Sequence, residues 1–353
     1  MPKALMTGAT GFIGGALLRE LLARGWEVRA ITRPTSNPRN LEGLERSFEC
    51  VPADLRDRRS LCRAMEGCDT VFHVAARYSL WNPDSRQIYL DNVEGTRNVL
   101  ETAQELRVRK VVYTSTVGVL RSPRDGGPAD ESCLASAQEV HGHYKRSKWL
   151  AEACARDHAA RGLPVVIVNP STPVGPFDVK PTPTGRMVLD FLNGRMPGYT
   201  NSGLNLVAVE DVAVGHILAA ERGVPGERYI LGCENVSLRD ILEVLSRLTG
   251  RPPPRWRVPR KLLLPLSVVS AGIAIISRRE PLIPWEAAWM AQRHMYFDSS
   301  RARRELGYAP GDVRQALERS VRWFESNGYT SGKPMGSRVL EPAATHGDAA
   351  RAP

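Results

Sequence analysis

Along the first half of the chain, short apolar runs alternate with stretches whose apolar residues recur every three or four positions. Lys3-Ala-Leu-Met-Thr7 is one such run. It breaks at Gly8, Gly11, Gly14 and Gly15, while Phe12, Ile13, Ala16, Leu17 and Leu21 take up helical spacing, which predicts a strand, a tight turn and a helix. Further strands are expected over residues 26–31, 48–52, 70–74, 110–114 and 165–168, with helical patterns over 57–67, 92–106 and from 143 onward. Strands and helices alternating at this period predict an α/β fold with a doubly wound parallel sheet, whose site lies beyond the carboxyl ends of the strands.

Past Pro176 the pattern loses its regularity, which sets the expected boundaries: a nucleotide domain over 1–176 and a substrate-binding region over 177–330. Residues 204–220 read as a strand and helix, so a segment of about 204–222 is expected to return to the first domain and the two to be interleaved. A strand at 229–231 and a helix over 237–248 capped by Ser237 follow. Residues 331–353 turn to Gly, Ser, Pro and Ala and are expected to form a disordered tail.

Charge narrows the partners. A net +10 arises from 48 Lys and Arg against 38 Asp and Glu, with the arginines scattered among acidic residues. No compact basic run with interleaved aromatics is present, so an anionic small ligand or an anionic membrane surface is expected rather than nucleic acid. The six cysteines, Cys50, Cys62, Cys68, Cys133, Cys154 and Cys233, form no C-x-x-C pair. They are expected to be reduced thiols of a cytoplasmic protein, and no export signal precedes the first strand. The most apolar run, Leu262 to Ile276, contains Pro265 and is too short to span a bilayer comfortably. It reads either as a buried helix or pocket wall, or as an interfacial segment that admits a lipid-like substrate, since Arg255, Arg257, Arg260 and Lys261 precede it and Arg278 and Arg279 follow.

The chemistry starts at the glycines. They let the backbone turn sharply and approach a pyrophosphate, with the next helix's first N–H groups aimed at the anion. Their spacing, G-x-x-G-x-x-G, departs from the common G-x-G-x-x-G pattern, so a ligand-free turn stays open on this evidence alone. In dinucleotide folds a carboxylate about twenty residues further on binds the ribose 2′-hydroxyl, whereas an arginine nearby accommodates a 2′-phosphate. Here Arg33 stands after the second strand with Ser36 close behind, which favours NADP(H) over NAD(H); a solvated loop arginine is the plainer reading. Tyr144 and Lys148 lie four residues apart at the start of a long helix, so they share a face, and an ammonium beside a phenol lowers the phenol's pKa toward a working range. His141 and His143 have no acidic or thiol cluster to complete a metal site, so no metal is expected. His73 reads as a core or cofactor-adjacent histidine, Asp211 as a helix cap, and Arg186 and Arg195 as anion contacts or exposed helix-end residues.

Taken in order, Thr7-Gly8-Ala9-Thr10-Gly11-Phe12-Ile13-Gly14, Asp54-Leu55, His73-Val74-Ala75-Ala76, Asn92-Val93-Glu94-Gly95-Thr96, Tyr113-Thr114-Ser115-Thr116, Tyr144-Lys145-Arg146-Ser147-Lys148 and Asn169-Pro170 resemble the extended short-chain dehydrogenase/reductase family. The resemblance covers about residues 1–325. Within the family the chain resembles the dihydroflavonol-reductase-like branch. Around Gly142 to Lys148, 181–186 and 190–197 it resembles the bacterial hopanoid-associated members often labelled sugar epimerases.

The resemblance implies a Rossmann-type sheet with a smaller interleaved C-terminal substrate domain, and a homodimer would fit it. It implies that Tyr144 exchanges a proton with the substrate oxygen, that Lys148 holds the nicotinamide ribose and tunes Tyr144, and that Asn92 serves a proton relay. Thr116 would orient the substrate oxygen, with Ser115 the neighbouring candidate. The loop of Gly8, Thr10, Gly11, Phe12, Ile13 and Gly14 would surround the pyrophosphate, Asp54 and Leu55 the adenine, Ala75 and Ala76 the cofactor's middle, and Pro170 the nicotinamide. The expected activity is NADP-dependent interconversion of a carbonyl and a secondary alcohol, in hopanoid or other isoprenoid-lipid metabolism. A nucleotide-sugar epimerase that retains its cofactor and a non-catalytic cofactor-bound scaffold are the alternatives.

Overall fold

A computed structural model describes residues 2–33, 35–78, 85–123, 126–196, 198–277, 285–291 and 293–330. The tail expected over 331–353 lies outside them. Six parallel strands carry the first half of the chain: β1 (Lys3–Thr7), β2 (Glu27–Thr32), β3 (Glu49–Pro52), β4 (Thr70–His73), β5 (Lys110–Thr114) and β6 (Val165–Pro170). In space they run β3-β2-β1-β4-β5-β6, and the later strand Arg228–Leu231 adds to the edge beside β6, giving a seven-stranded sheet. Alternate residues serve opposite faces: Ala4 and Met6 pack into one core, Leu5 into the other, and Val166 and Val168 oppose Val165 and Ile167 in the same way. Both faces of the central strands are covered, so β1, β4, β5 and β6 read as largely apolar runs, while β3 at the edge is mostly exposed. Helices Phe12–Ala23 and Val209–Arg222 cover one face, and Arg58–Met65, Gly95–Glu105 and His143–Ala160 the other.

The register fixes the site. Thr7 pairs with both Ile31 and His73, His73 with Tyr113, and Thr114 with Val168. The strand ends therefore form one rim, and the chain's path reverses between β1 and β4, where open α/β sheets bind ligands.

A smaller sheet is built on Gly203–Ala208, flanked by Thr172–Val174, Glu234–Ser237 and His294–Met295. Helices Pro183–Leu192, Leu238–Thr249 and Val313–Ser326 close over it around Leu192, Leu206, Leu245, Leu317 and Phe324. The sequence reading put residues 204–220 together on the nucleotide side. In the structure the strand belongs to the smaller sheet and only its following helix lies on the large one. The strand that joins the large sheet is Arg228–Leu231, because Tyr229 and Leu231 fill the same core as Val166 and Val168.

Candidate active site

The rim begins with the glycine turn. Gly8 has φ +79°, and a Cβ there would lie 2.7 Å from the Ala75 nitrogen. A Cβ on Gly14 would come within 1.9 Å of the Gly8 carbonyl oxygen, so the turn has no room for side chains at either place. Gly11, whose N–H donates to the Gly8 carbonyl over 2.9 Å, caps the helix Phe12–Ala23 in an extended conformation without any side-chain cap. The helix's opening N–H groups are left for an anion.

A hydrogen-bond chain ties this turn to the neighbouring segment. The Ala75 N–H donates to Thr7 Oγ1 over 3.1 Å, and Thr7 in turn donates to His73 Nδ1 at 2.8 Å. On the other side of the ring, His73 Nε2 bonds Thr96 Oγ1 at 2.9 Å, and Thr96 donates to the Asn92 carbonyl. That order assigns the neutral Nε2–H tautomer. Burial, aided by the Lys148 charge, pushes the His73 pKa down to about 3, so the imidazole stays neutral in this network.

Between the ends of β1, β2, β3 and β4 lies a cleft partly open to solvent. Its walls include Gly8, Thr10, Arg33, Ser36, Asp54, Leu55, Ala75 and Ala76, the residues the sequence pointed to, together with Arg77 and Asp91. Phe12, Ile13, Gly11 and Gly14 belong to the adjoining turn and helix start. Asp91 gathers three guanidinium groups: Arg77 Nε at 2.6 Å, Arg56 Nε at 3.0 Å and Arg33 at 3.8 Å. Burial alone would raise its carboxyl, but Arg56 and Arg77 hold it below the usual carboxylate range. With Asp54 also in the cleft, two carboxylates among three arginines leave a net cationic wall beside the end of β2. Arg33, with half of its side chain exposed, stands on the solvent side of that wall.

Asn92 sits in a single π-helical turn, Leu90–Glu94, a local widening common at functional sites. Its side chain accepts from the Arg77 N–H at 2.7 Å and donates to Ser147 Oγ at 2.9 Å, and Ser147 donates to the Tyr144 carbonyl. Asn92 thus links the cleft wall to the helix His143–Ala160, on which Tyr144 and Lys148 lie one turn apart.

Lys148 is buried and donates to the Thr114 carbonyl over 2.6 Å, its Nζ 4.5 Å above the Tyr113 ring. Burial pushes its pKa down to about 7, opposed by the charge of Glu152 one turn further on. Tyr144 packs edge-on against Tyr78 at 4.5 Å, and burial pushes its phenol above the usual value. The sequence led us to expect the reverse shift. The reason for the difference is burial of the phenol, while the ammonium donates to the Thr114 carbonyl.

Thr116 Oγ1 accepts the Gly118 N–H at 3.1 Å, and Asn169 donates to the Thr116 carbonyl and to Glu152. Ser115 Oγ is buried without a hydrogen-bond partner among the described residues, and Pro170 ends β6 on the same rim. His143 meets the Tyr89 hydroxyl and His141 the Trp289 ring. Among the described residues no three His, Cys, Asp or Glu side chains are placed to hold a metal.

The sequence reading passed over five participants, of which Arg56 directly follows Asp54-Leu55 and reaches Asp91. Asp91 and Arg77 directly flank recognised motifs. Glu152 continues the Tyr144–Lys148 face by another turn and pairs with Arg228 at 3.1 Å. His216 accepts from the Thr114 hydroxyl at 2.8 Å and bonds the Val212 carbonyl, holding the residue that receives Lys148.

The glycine cradle, the uncapped helix start and the cleft fit a dinucleotide, with the pyrophosphate over Gly8, Gly11 and Gly14. The model of the family described as "NAD dependent epimerase/dehydratase family" matches residues 4–232. A dihydroflavonol 4-reductase-like protein of Synechocystis sp. is 46% identical over 92% of this chain and 95% of its own. Sterol demethylase protein B of Methylococcus capsulatus is 38% identical over 92% of this chain and 98% of its own. The crystal structure of gox2253 superposes with a TM-score of 0.84 at 44% identity, covering 94% of this chain and all of that one. With the cradle, the rim and the Tyr144–Lys148 face in place, the chain belongs to the NAD dependent epimerase/dehydratase family, the extended short-chain dehydrogenases/reductases, and is an NAD(P)-dependent oxidoreductase of that type.

Proposed function

We propose that this protein is a cytoplasmic NADP(H)-dependent reductase that interconverts a carbonyl and a secondary alcohol on a lipid-like small molecule. The observation that carries the reading is the wall of Arg33, Arg56 and Arg77 around Asp91, with Ser36 beside it, at the strand end where a 2′-phosphate would lie. Guanidinium forks suit a phosphate, and the three arginines outnumber the two carboxylates, Asp54 and Asp91, that line the cleft. Gly8, Gly11 and Gly14 would hold the pyrophosphate, Asp54 and Leu55 the adenine, Ala75 and Ala76 the middle of the cofactor and Pro170 the nicotinamide.

When bound, the nicotinamide supplies or accepts the hydride. Tyr144 gives its phenolic proton to the carbonyl oxygen as that oxygen becomes an alcohol, and takes it back in the reverse direction. Thr116 steadies the oxygen by a hydrogen bond. Lys148, anchored on the Thr114 carbonyl at the rim, holds the nicotinamide ribose. Asn92 keeps the helix of Tyr144 in register with the cleft through Ser147. The similarity to a sterol demethylase protein supports an isoprenoid-lipid substrate, hopanoids included.

The test is net NADPH oxidation with carbonyl-bearing lipids, compared with Tyr144→Phe. Stoichiometric oxidation that falls roughly 10²–10⁴-fold in the variant while NADPH affinity holds supports the reading. Epimerisation of a nucleotide sugar without net NADPH consumption, or full activity in Tyr144→Phe, overturns it.

A further inference from the structure

The helix Arg260–Ser277 is built inside out. Ser267 and Ala274 are buried against the protein, while Leu262, Leu266, Val269 and Ile273 are exposed, Ile273 at 61%. Those four sit at i, i+4, i+7 and i+11, one stripe along the helix. Gly272 lies on the same side, and a Cβ there would meet nothing within 4 Å. A helix in water turns its large apolar residues inward, so the outward stripe calls for an apolar medium.

Charge selects the medium. No Asp or Glu occurs between Glu243 and Glu280, although the chain holds 38 of them. Arg255, Arg257, Arg260 and Lys261 precede the stripe, and Arg278 and Arg279 follow the helix in sequence. The basic residues before the stripe set like charges together when two copies pair in parallel through this face, whereas an anionic bilayer offers acyl chains to the stripe and phosphates to those residues. Trp256 is 78% exposed and Trp285 50%, the amphipathic side chains favoured at a headgroup boundary. Among the described residues no helix is long and apolar enough to cross a membrane.

We propose that this helix docks the protein on the surface of an anionic bilayer, the stripe from Leu262 to Ile273 entering the acyl boundary and the basic residues Arg255, Arg257 and Lys261 resting on headgroups. The helix that packs beside the docking helix reaches the segment before the active-site helix. Trp289, from the next helix Trp285–Met290, packs its ring 5.0 Å from that of His141, two residues before the helix that carries Tyr144. A lipid-like molecule leaving the bilayer would arrive beside the rim. The docking stands whichever reaction the rim performs.

Flotation of the full chain with vesicles of phosphatidylcholine, alone or mixed with phosphatidylglycerol, tests it. The wild type is expected to float with the mixed vesicles and to detach as salt is raised. Leu266→Asp/Ile273→Asp is expected to lose at least about tenfold in vesicle affinity, and Arg257→Glu/Lys261→Glu to lose the preference for phosphatidylglycerol. Both pairs change exposed side chains, and an unchanged melting curve by circular dichroism shows that each variant folds. Failure of the wild type to float, equal flotation with both vesicle types, or equal flotation of the aspartate variant overturns the proposal. So does an oligomer that the aspartate variant splits in the absence of any vesicle binding.

Discussion

The glycine rim and the helix Arg260–Ser277 are both made of small and apolar residues, and the structure treats them in opposite ways. At the rim space is used up: a single added carbon on Gly14 collides with backbone, and His73 is bonded through both ring nitrogens. Along the helix, space is left open in front of Gly272 and large side chains face outward. A site for a ligand of fixed shape is tight and satisfied beforehand, while a surface for a fluid partner stays open and nonspecific. Glycine at one place is a steric necessity and at the other a removable weakness.

The largest break in that contrast comes from Gly14→Ala. With its Cβ 1.9 Å from the Gly8 oxygen, the turn must shift, and a loss of about 1–3 kcal/mol or more in thermal stability is expected together with loss of dinucleotide binding. Unaltered melting and binding would mean that the cradle is looser than described.

Lys148→Met comes next. An unfolded lysine titrates near 10.5 and this one near 7, so folding releases a proton between those values and wild-type stability climbs with pH across that window. Below pH 7 the burial cost is fully present. The variant removes the titration, and urea melts should show the climb abolished. At neutral pH and below a gain of roughly 2–4 kcal/mol is offset by about 1–3 for the Thr114 carbonyl left without its donor. Catalysis should be lost whatever the net. An identical pH slope in both proteins would contradict the depressed pKa.

Gly272→Ala is the counterpart on the helix. With nothing near its Cβ, it should stabilise by about 0.5–1 kcal/mol, the ordinary helix preference of Ala over Gly. Smallest of all, Ile273→Ser in the absence of vesicles should change the stability read from urea melts by no more than about 0.5 kcal/mol, as expected at an exposed position. A large loss at Ile273 would place that side chain in a core.

The same contrast divides what the sequence disclosed from what it did not. Residues 165–168 announced a strand because both faces of β6 are buried, and the glycine loop announced itself because its demands are local. The four-residue spacing of Tyr144 and Lys148 was legible for the same reason. The cationic wall was not. Arg33, Arg56, Arg77 and Asp91 come from four separate segments, and only the sheet order brings them together. Nor did spacing reveal that Lys148 points at the Thr114 carbonyl, since that depends on where β5 ends relative to a helix some thirty residues later. The sheet assignment of Gly203–Ala208 was likewise settled by partners distant in the chain. The run from 262 to 276 was visible as apolar, but which side faced outward came only with the fold.

The most direct test of the account is the affinity of the purified protein for NADPH against NADH, with any copurified nucleotide identified by mass spectrometry. The account expects exchangeable NADPH bound at least about tenfold more tightly than NADH, as charge-assisted contacts to a phosphate warrant, with the preference lost in Arg33→Ala. Equal affinities, or NAD retained without exchange, would contradict it.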